Sequence, residues 1–455
     1  MATTANSASI NGSAAAAKRA SYLKHLLTQA TAAAESSGLG LKQLRESAIA
    51  LTNERSFPYG KDEEWRFTDL ADMLDLPFRA APAADSISEG LANHLALLEG
   101  GYRLVTVNGH YVSDLSVAGR DVAAPELPEG AVVAPLSALI AHPTYGDRVK
   151  DTLQTKLAQV QGGGEVFTAL NTAGFTDVMV IWVRKDQAIE APIHIARGAV
   201  GDGVSHLRTL VIAERHAKFT LIETFWGDDE QSRFNNNVSE FLLEESAQVT
   251  HVRIQDEGAK TFHISKTAIS QAQNSCYHST NIELGACLSR HHHEMYQAGP
   301  QTETHLYGLS ALSGQQLADT HSLIALTHPH SSATQVQKNV VDDRARSVFN
   351  GKVYVSQAAQ HTDAAQLNRN LMLSDKARVD TKPELDIVAD NVKCAHGATV
   401  SQLQADEVFY LQSRGISAEQ AQRLLLYGFA MEIIDKISID ALRETLRDRI
   451  SKWAR

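Results

Sequence analysis

Short runs of apolar and β-branched residues recur along the middle of the chain about every ten residues, with turn-forming residues between them. Clear examples are Val178–Val183, Val249–Ile254 and Val348–Val355. Residues 166–402 show no convincing helical period. Many short strands at regular spacing predict a sandwich, a barrel or a β-solenoid, and this stretch is long for one sandwich. Because strict hairpin signals are lacking, we predict a parallel β-helix.

Both ends of the chain carry helical patterns instead. Near the N-terminus, apolar residues repeat at helical spacing, namely Tyr22, Leu23, Leu26 and Leu27. Beyond Leu403, a capping box at residues 417–420 begins one helix, and an amphipathic pattern predicts another at the C-terminus. We therefore predict four segments: a disordered tail (1–17), an N-terminal helical and mixed region (18–165), the β-helix core (166–402) and a C-terminal helical segment (403–455). The predicted fold class is mainly β with helical ends.

Two features of the N-terminal region are specific enough to interpret. Asn108-Gly109 lies between two apolar runs and predicts the turn of a β-hairpin. The stretch Phe57–Leu70 mixes aromatic and charged residues with proline and glycine. We interpret it as an ordered loop that docks through Trp65.

Composition excludes several classes of function. The chain has 455 residues, of which 43% are hydrophobic and 21% charged, as in an ordinary globular protein. Its net charge of −11 gives no electrostatic support for nucleic-acid binding. The longest apolar run, Val178–Val183, is too short to span a membrane. No phosphate-binding loop or dinucleotide fingerprint occurs, so we predict no nucleotide site in this chain.

The cellular location depends on two sequence features. Three widely separated cysteines argue against a disulfide framework and for a reducing compartment. Residues 1–34 contain no aspartate or glutamate, a composition that resembles a transit peptide. The stretch is poor in arginine, however, and its second half is already amphipathic. We predict a cytoplasmic protein, with the plastid stroma as the alternative.

Cys394 and His396 are the residues that best fit a chemical role. They are two positions apart in a stretch that reads as a strand, so they project from the same face. A thiol and an imidazole suit iron, zinc or a sulfur species, but two ligands cannot complete a tetrahedral site. Lys393 is adjacent, and a neighbouring cation is expected to lower the pKa of a thiol. We predict that this pair works with groups supplied from elsewhere.

The remaining cysteines and histidines favour a structural interpretation. Cys276 and Cys287 lie in apolar strand contexts and are expected to be small buried residues. His291-His292-His293-Glu294 resembles a metal site, but only His291 and His293 could share a ligand sphere on a strand. We interpret this run as a polar turn of the solenoid.

Several motifs occur along the chain that are typical of one known family. They are Trp65–Thr68, Phe167–Ala173, Phe349–Gly351, Ala359–Ala364, Asn370–Ser374, Asp380–Ile387, Val392–Thr399 and Phe409–Ile416. Together they resemble the SufD family. The resemblance is specific towards the C-terminus and covers nearly all of the chain beyond residues 1–17. One motif departs slightly, because the family usually has Cys-Ser-His where this chain has Ala395 between Cys394 and His396.

The resemblance implies a right-handed parallel β-helix in a subunit of the SufBCD iron–sulfur cluster assembly complex. Its implied partners are the paralogue SufB and the ATPase SufC, with a SufD homodimer as a further possibility. His396 matches a histidine at the SufB–SufD interface, where a transient iron–sulfur cluster shared with SufB is built, and Cys394 matches the neighbouring interface cysteine. The region matching the SufC-docking segment includes Phe409, Tyr410, Arg414, Gly415, Tyr427 and Phe429. Packing of the tail is an equally good explanation for each of these aromatic residues.

Three hypotheses of function follow. The leading one is a non-enzymatic scaffold subunit of the SufBCD complex. The second is a β-solenoid enzyme that acts on polysaccharide, although no exposed cluster of carboxylates and no secretion signal is apparent. The third is a homomeric metal sensor that uses His291, His293 and Cys394.

Overall fold

A computed structural model of the chain describes residues 3–35, 37–84, 101–116, 130–142, 155–228 and 231–453, together with Gly90, Val149, Thr152 and Leu153; side chains before Ala14 are not included. Short 3-10 helices cover Glu63–Trp65, Asp72–Asp75 and Ser113–Leu115. The α-helices are α1 (Thr3–Glu35), α2 (Lys42–Glu54), α3 (Leu136–Ala141), α4 (Val166–Gly174), α5 (Ala405–Gln412), α6 (Ala418–Ile434) and α7 (Asp440–Trp453).

The strands form two sheets, which we call sheet I and sheet II. Sheet I contains β1 (Tyr102–Val107), β2 (His110–Tyr111), β5 (Ile193–Ala199), β7 (Lys218–Gly227), β9 (Gln248–Asp256), β11 (Cys276–Glu283), β13 (Glu303–Leu312), β15 (Ser332–Val341), β17 (Asp363–Met372) and β19 (Lys393–Ser401). Sheet II contains β3 (Ala131–Pro135), β4 (Met179–Val183), β6 (Gly203–Ala213), β8 (Arg233–Leu243), β10 (Thr261–Gln271), β12 (Leu288–Gln297), β14 (Leu317–Leu326), β16 (Arg346–Val355) and β18 (Arg378–Ile387).

From β4 onward, successive strands alternate between the two sheets, and each strand pairs in parallel with the strand two positions later. The register shows the coil repeat: Glu303 pairs with Ser332, Ser332 with Asp363, and Asp363 with Lys393. This is a parallel β-helix, as predicted, and the fold class of mainly β with helical ends is confirmed. Antiparallel pairing occurs between β1 and β2, at the predicted Asn108-Gly109 turn, and between β3 and β4.

The space between the two sheets, which we call the interior, is apolar on one side and polar on the other. On the apolar side, Leu221, Phe241 and Met295 belong to one buried cluster that runs through the coils. On the polar side, Arg253 forms a buried ion pair with Glu283. Buried charges are tolerated when they are paired and hydrogen-bonded, so a polar interior is compatible with a stable solenoid.

Glu223 shows how this polar side is organised. It is fully buried, and its carboxylate lies 3.6 Å from Arg197 Nη2 and 3.2 Å from His251 Nε2. Thr209 Oγ1 donates a further hydrogen bond to it at 2.7 Å. Burial alone would raise the pKa of Glu223, but these partners outweigh burial and lower it to about 2.

Helices cover the outer faces of both sheets. At the N-terminus, Leu26 of α1 and Phe167 of α4 pack with Phe234 on sheet II. The predicted docking of Trp65 is confirmed, since it is buried and its ring lies 4.0 Å from the guanidinium carbon of Arg290. At the other end, α6 and α7 fold back onto the outer face of sheet I and pack against Ile222, Val252, Ile254, Ile282, Leu284, Leu309 and Ala311.

The first helix begins close to the N-terminus. α1 starts at Thr3, within the stretch 1–17 for which a disordered tail was predicted, and residues 1 and 2 lie outside the described part of the chain. Alanine-rich sequence without proline favours helix. The predicted segments and their boundaries stay a prediction. Within the described residues, no helix combines the length and apolar character needed to cross a membrane.

Candidate functional site at the open end of the solenoid

The last coil of the solenoid has exposed strand edges. β19 and β18 end sheets I and II, and within the described residues no strand pairs with either on the far side. Apolar side chains are exposed there: Ile387, Val388 and Val400 retain 40%, 48% and 46% of their accessible surface. Unpaired backbone N–H and C=O groups beside apolar side chains form a template for pairing with another chain.

Cys394 and His396 both lie on β19, at positions that face the interior. Cys394 is in register with Ala364, and His396 is in register with Gln366; both register partners are buried. Cys394 is half-buried against the apolar cluster of the interior, whereas His396 is exposed. The predicted arrangement on one strand face is therefore present, and it lies at the open end of the solenoid.

The predicted effect of Lys393 on the Cys394 thiol is wrong. Burial raises the pKa of Cys394 above its ordinary value, a backbone hydrogen bond with Ala364 offsets this only partly, and Asp363 raises it further. Lys393 is adjacent in sequence, but strand alternation turns its side chain to the opposite face, in register with Asp363. The thiol is therefore protonated at neutral pH, and it needs a metal or a base to become a ligand.

The pair does not make a complete metal site. Among the described residues, no group of three or more histidine, cysteine, aspartate or glutamate side chains is arranged to hold a metal ion. A thiol and an imidazole at an exposed strand edge can provide two ligands of borderline softness, which suit iron and its sulfide clusters. Further ligands would have to come from outside this coil.

His291 and His293 occupy a different part of the molecule. Both are buried on the inner face of β12, a regular strand, so the predicted polar turn is wrong. His291 Nε2 lies 2.9 Å from Thr267 Oγ1, and burial lowers the pKa of His293 to about 3. In sheet II, β14, β16 and β18 lie between β12 and the open end, so this arrangement does not support a metal sensor that joins these histidines to Cys394.

Cys276 and Cys287 are less buried than expected, since both are only partly covered. Burial nevertheless raises the pKa of each thiol to about 11. Cys287 Sγ donates a hydrogen bond to the carbonyl oxygen of Thr261 at 3.0 Å. Neither thiol is therefore activated.

The candidate docking residues of the C-terminal segment fall into two groups. Phe409 and Tyr410 on α5 are 70% and 59% exposed, and the guanidinium of Arg414 lies 5.4 Å from the Tyr410 ring. Gly415 follows with a φ of +87°, a conformation that favours glycine and that ends this helical turn. None of the residues of α5 is buried, so this helix presents an aromatic surface to solvent.

Tyr427 and Phe429 belong to the second group, because they hold α6 on the solenoid. Tyr427 packs beside the apolar cluster under α6 and α7. The ammonium of Lys338 lies 4.3 Å from the centre of the Phe429 ring, and Lys338 Nζ donates to the Phe429 carbonyl oxygen at 3.0 Å. Leu424, also on α6, is 50% exposed.

The fold and the site together define a class of protein: a parallel β-solenoid with helical ends and an exposed cysteine–histidine pair at its open end. A family model described as SUF system FeS cluster assembly, SufBD core domain, matches residues 195–429. A second, the SufBD protein N-terminal region, matches residues 16–195. The chain belongs to the SufBD family of iron–sulfur cluster assembly proteins, as the sequence motifs indicated.

Curated relatives agree with this assignment. An iron–sulfur cluster assembly SufBD family protein of Synechocystis is 43% identical, with 90% of each chain covered. The protein ABCI7, chloroplastic, of Arabidopsis thaliana is 32% identical over 94% of this chain and 89% of its own. The iron–sulfur cluster assembly protein SufD of Escherichia coli is 29% identical over 87% of this chain and 89% of its own. The polysaccharide alternative has no support from these similarities.

Proposed function

We propose that this chain is a non-catalytic scaffold subunit that pairs with SufB and binds the ATPase SufC. Nascent iron–sulfur clusters would then be assembled at the interface between SufB and this chain. The observation that carries the proposal is the open last coil, where Cys394 and His396 lie on a strand with an unpaired edge. Relatives in a bacterium and in a chloroplast support cytoplasm or plastid stroma as the compartment.

The open end supports pairing with a similar solenoid. An exposed strand edge binds another strand through main-chain hydrogen bonds, while flanking side chains provide specificity. Val400 on β19 and Ile387 on β18 supply exposed apolar surface around that edge. SufB is the proposed partner, because a partner with different side chains can complete a ligand set that this chain supplies only in part. A second copy of this chain is the competing occupant of the same edge.

The cluster would be cargo of the complex. His396 is exposed and can offer a ring nitrogen to iron without a change in the fold. Cys394 is a weaker candidate, because its raised pKa means that metal binding must displace a proton. The proposal therefore gives His396 the primary role and Cys394 a supporting one.

The aromatic surface of α5 is the proposed contact with SufC. Exposed aromatic and arginine side chains are the residue types that dominate binding energy at protein interfaces. Phe409 and Tyr410 lie on α5, which contains no buried residue, and Arg414 follows shortly after the end of this helix. Tyr427 and Phe429 would support this contact indirectly, by fixing α6 in place.

The main test is co-purification with SufB and SufC, followed by anaerobic reconstitution of the complex with iron and sulfide. We expect His396→Ala to abolish cluster formation while SufB and SufC still co-purify. His305→Ala is the matched control, since His305 lies on the outer face of sheet I, three strands from the open edge. Wild-type cluster yield with His396→Ala would refute the proposed role of this residue.

A second test separates the two interfaces. Truncation of a dominant interface aromatic weakens binding about thirtyfold or more, so Tyr410→Ala should reduce SufC affinity on that scale and leave SufB pairing intact. Val388→Ala removes an exposed apolar side chain at the solenoid end instead and should leave SufC affinity unchanged. Equal SufC affinity for the Tyr410 variant and the parent chain would remove α5 from the proposed SufC contact.

A further inference from the structure

Beneath His396, the interior carries a column of residues in exact register along sheet I. His396 on β19 pairs with Gln366 on β17, and Gln366 pairs with Gln335 on β15. Gln366 and Gln335 are only 2% and 4% exposed. Because parallel strands place register partners directly above one another, Gln366 is the side chain immediately below the His396 ring.

The amide of Gln366 is held in one orientation by the coils behind it. Its Nε2 donates to Gln335 Oε1 at 2.9 Å, and the Gln335 amide is itself paired with Ser322 Oγ at 2.9 Å. Across the interior, a Cβ atom added to Gly351 would lie 2.4 Å from Gln366 Nε2. The amide therefore packs directly on the Gly351 backbone and has little room to rotate.

One polar atom of this amide lacks a hydrogen-bond partner. Gln366 Oε1 is buried and has no hydrogen-bond partner within the part of the chain that the structure describes. Since Nε2 of the same planar group is directed towards the preceding coil, Oε1 is turned away from Gln335. The adjacent interior column differs, because the side-chain Oδ1 of Asn368 accepts hydrogen bonds from both Asn370 Nδ2 and Thr381 Oγ1.

Buried acceptors normally have a donor, and the register partner in the next coil is a histidine. We propose that Gln366 is a positioning residue for His396: when the exposed imidazole turns towards the interior, Gln366 Oε1 accepts a hydrogen bond from one ring N–H, a bond that the structure itself does not contain. That bond holds the imidazole in one tautomer and orientation, and it leaves the other ring nitrogen unprotonated and directed out of the open end. The importance of this arrangement for cluster assembly rests on the proposed function of His396.

The inference gives a partner to the one atom of the Gln366 amide that has none among the described residues. Cys394, two residues earlier, is in register with Ala364 and packs against apolar groups, so it receives no comparable support. Outer hydrogen-bond partners of metal-ligating histidines typically change metal affinity by about ten- to hundredfold when they are removed. Gln366 would thus fix the orientation and tautomer of His396 before metal binds, whereas Cys394 has no such support.

The test measures the His396 ring directly, without a cluster. Two-bond proton–nitrogen NMR spectra of the full chain labelled in its histidine rings report the tautomer, and the His396→Asn variant identifies the signal. In the parent chain we expect one tautomer to dominate. Gln366→Met keeps the side-chain length but removes the acceptor, and it should shift the tautomer ratio about fivefold, as expected for one lost hydrogen bond. Gln366→Glu, unlike Gln366→Met, keeps a side-chain oxygen as acceptor and should therefore keep the same tautomer dominant as in the parent chain.

Gln337→Met is the matched control, because Gln337 is equally buried on β15 but lies in the adjacent column, which ends at Ala398. It should leave the His396 signal unchanged. A parent ratio equal to that of free histidine, or a Gln366→Met spectrum identical to the parent spectrum, would overturn the inference. The first of these results needs no substitution of Gln366, so the inference can be overturned even if Gln366→Met fails to fold.

Reconstitution separates this inference from the proposed function. If Gln366→Met changes the tautomer and also weakens iron binding by the complex, the positioning role of Gln366 and the proposed function of His396 are both supported. If the tautomer changes while His396→Ala still assembles clusters, Gln366 positions the ring but the proposed role of His396 is wrong.

Discussion

The C-terminal helices should open from the solenoid independently when their packing is weakened. Ile434 on α6 is fully buried in the cluster that joins α6 and α7 to Ile222 and Ile282 of sheet I. Ile434→Ala removes a buried side chain and leaves a cavity, which costs about 2–5 kcal/mol. A loss of about 3 kcal/mol raises the equilibrium constant for opening by roughly a hundredfold.

The opening should be confined to the C-terminal helices, because the apolar cluster of the interior contains no residue of α5, α6 or α7. Hydrogen–deuterium exchange followed by mass spectrometry measures this, since exchange in α6 and α7 should accelerate by that factor while β7–β13 stay protected. Leu424→Ala is the control, as this side chain on the same helix is half exposed. The reasoning is refuted if the solenoid strands lose protection equally, or if α6 exchanges as in the parent chain.

Further predictions concern the open edge, the thiols and the interior. Val400→Lys places a charge at the exposed edge and should abolish pairing with SufB or with a second copy, measured by light scattering after size exclusion; Thr399→Lys, on the opposite face of β19, should weaken pairing less. Cys394 should react with iodoacetamide at pH 8 more slowly than free cysteine, because its pKa is raised; an equal rate in a mass-spectrometric assay would contradict this. Glu223→Gln should lower the free energy of unfolding at pH 7, because the folded-state pKa of Glu223 is depressed to about 2. That contribution is present above the unfolded value of 4.5 and is lost as the pH falls towards 2, so the urea stability of variant and parent should converge over that window; a constant difference would show that Glu223 does not titrate as described.

Local patterns were sufficient to predict the solenoid and its helical ends. Turn-forming residues between short apolar runs identify coils, and the capping box of Ser417 and Gln420 is formed as the sequence indicated. β12, in which a polar turn was predicted, carries three histidines, and β15 likewise carries glutamine and lysine. Their polar inner residues are paired with other buried polar groups, so neither hydrophobicity nor simple alternation marks them as strands.

The division of the C-terminal aromatic residues likewise required tertiary contacts. Phe409 and Phe429 both lie on C-terminal helices, yet Phe409 is exposed and Phe429 lies against Lys338. Lys338 is ninety-one positions from Phe429 in sequence. No local period encodes a contact at that separation.

Cys394 and His396 show where the limit lies. The sequence by itself determined that they share one strand face, because side chains two positions apart on a strand always point to the same side. Only the tertiary structure decided that Cys394 is the buried thiol with a raised pKa and that His396 is exposed above Gln366. Burial and register depend on the preceding coil, which lies thirty or so residues earlier in the chain, and on the absence of a following coil among the described residues.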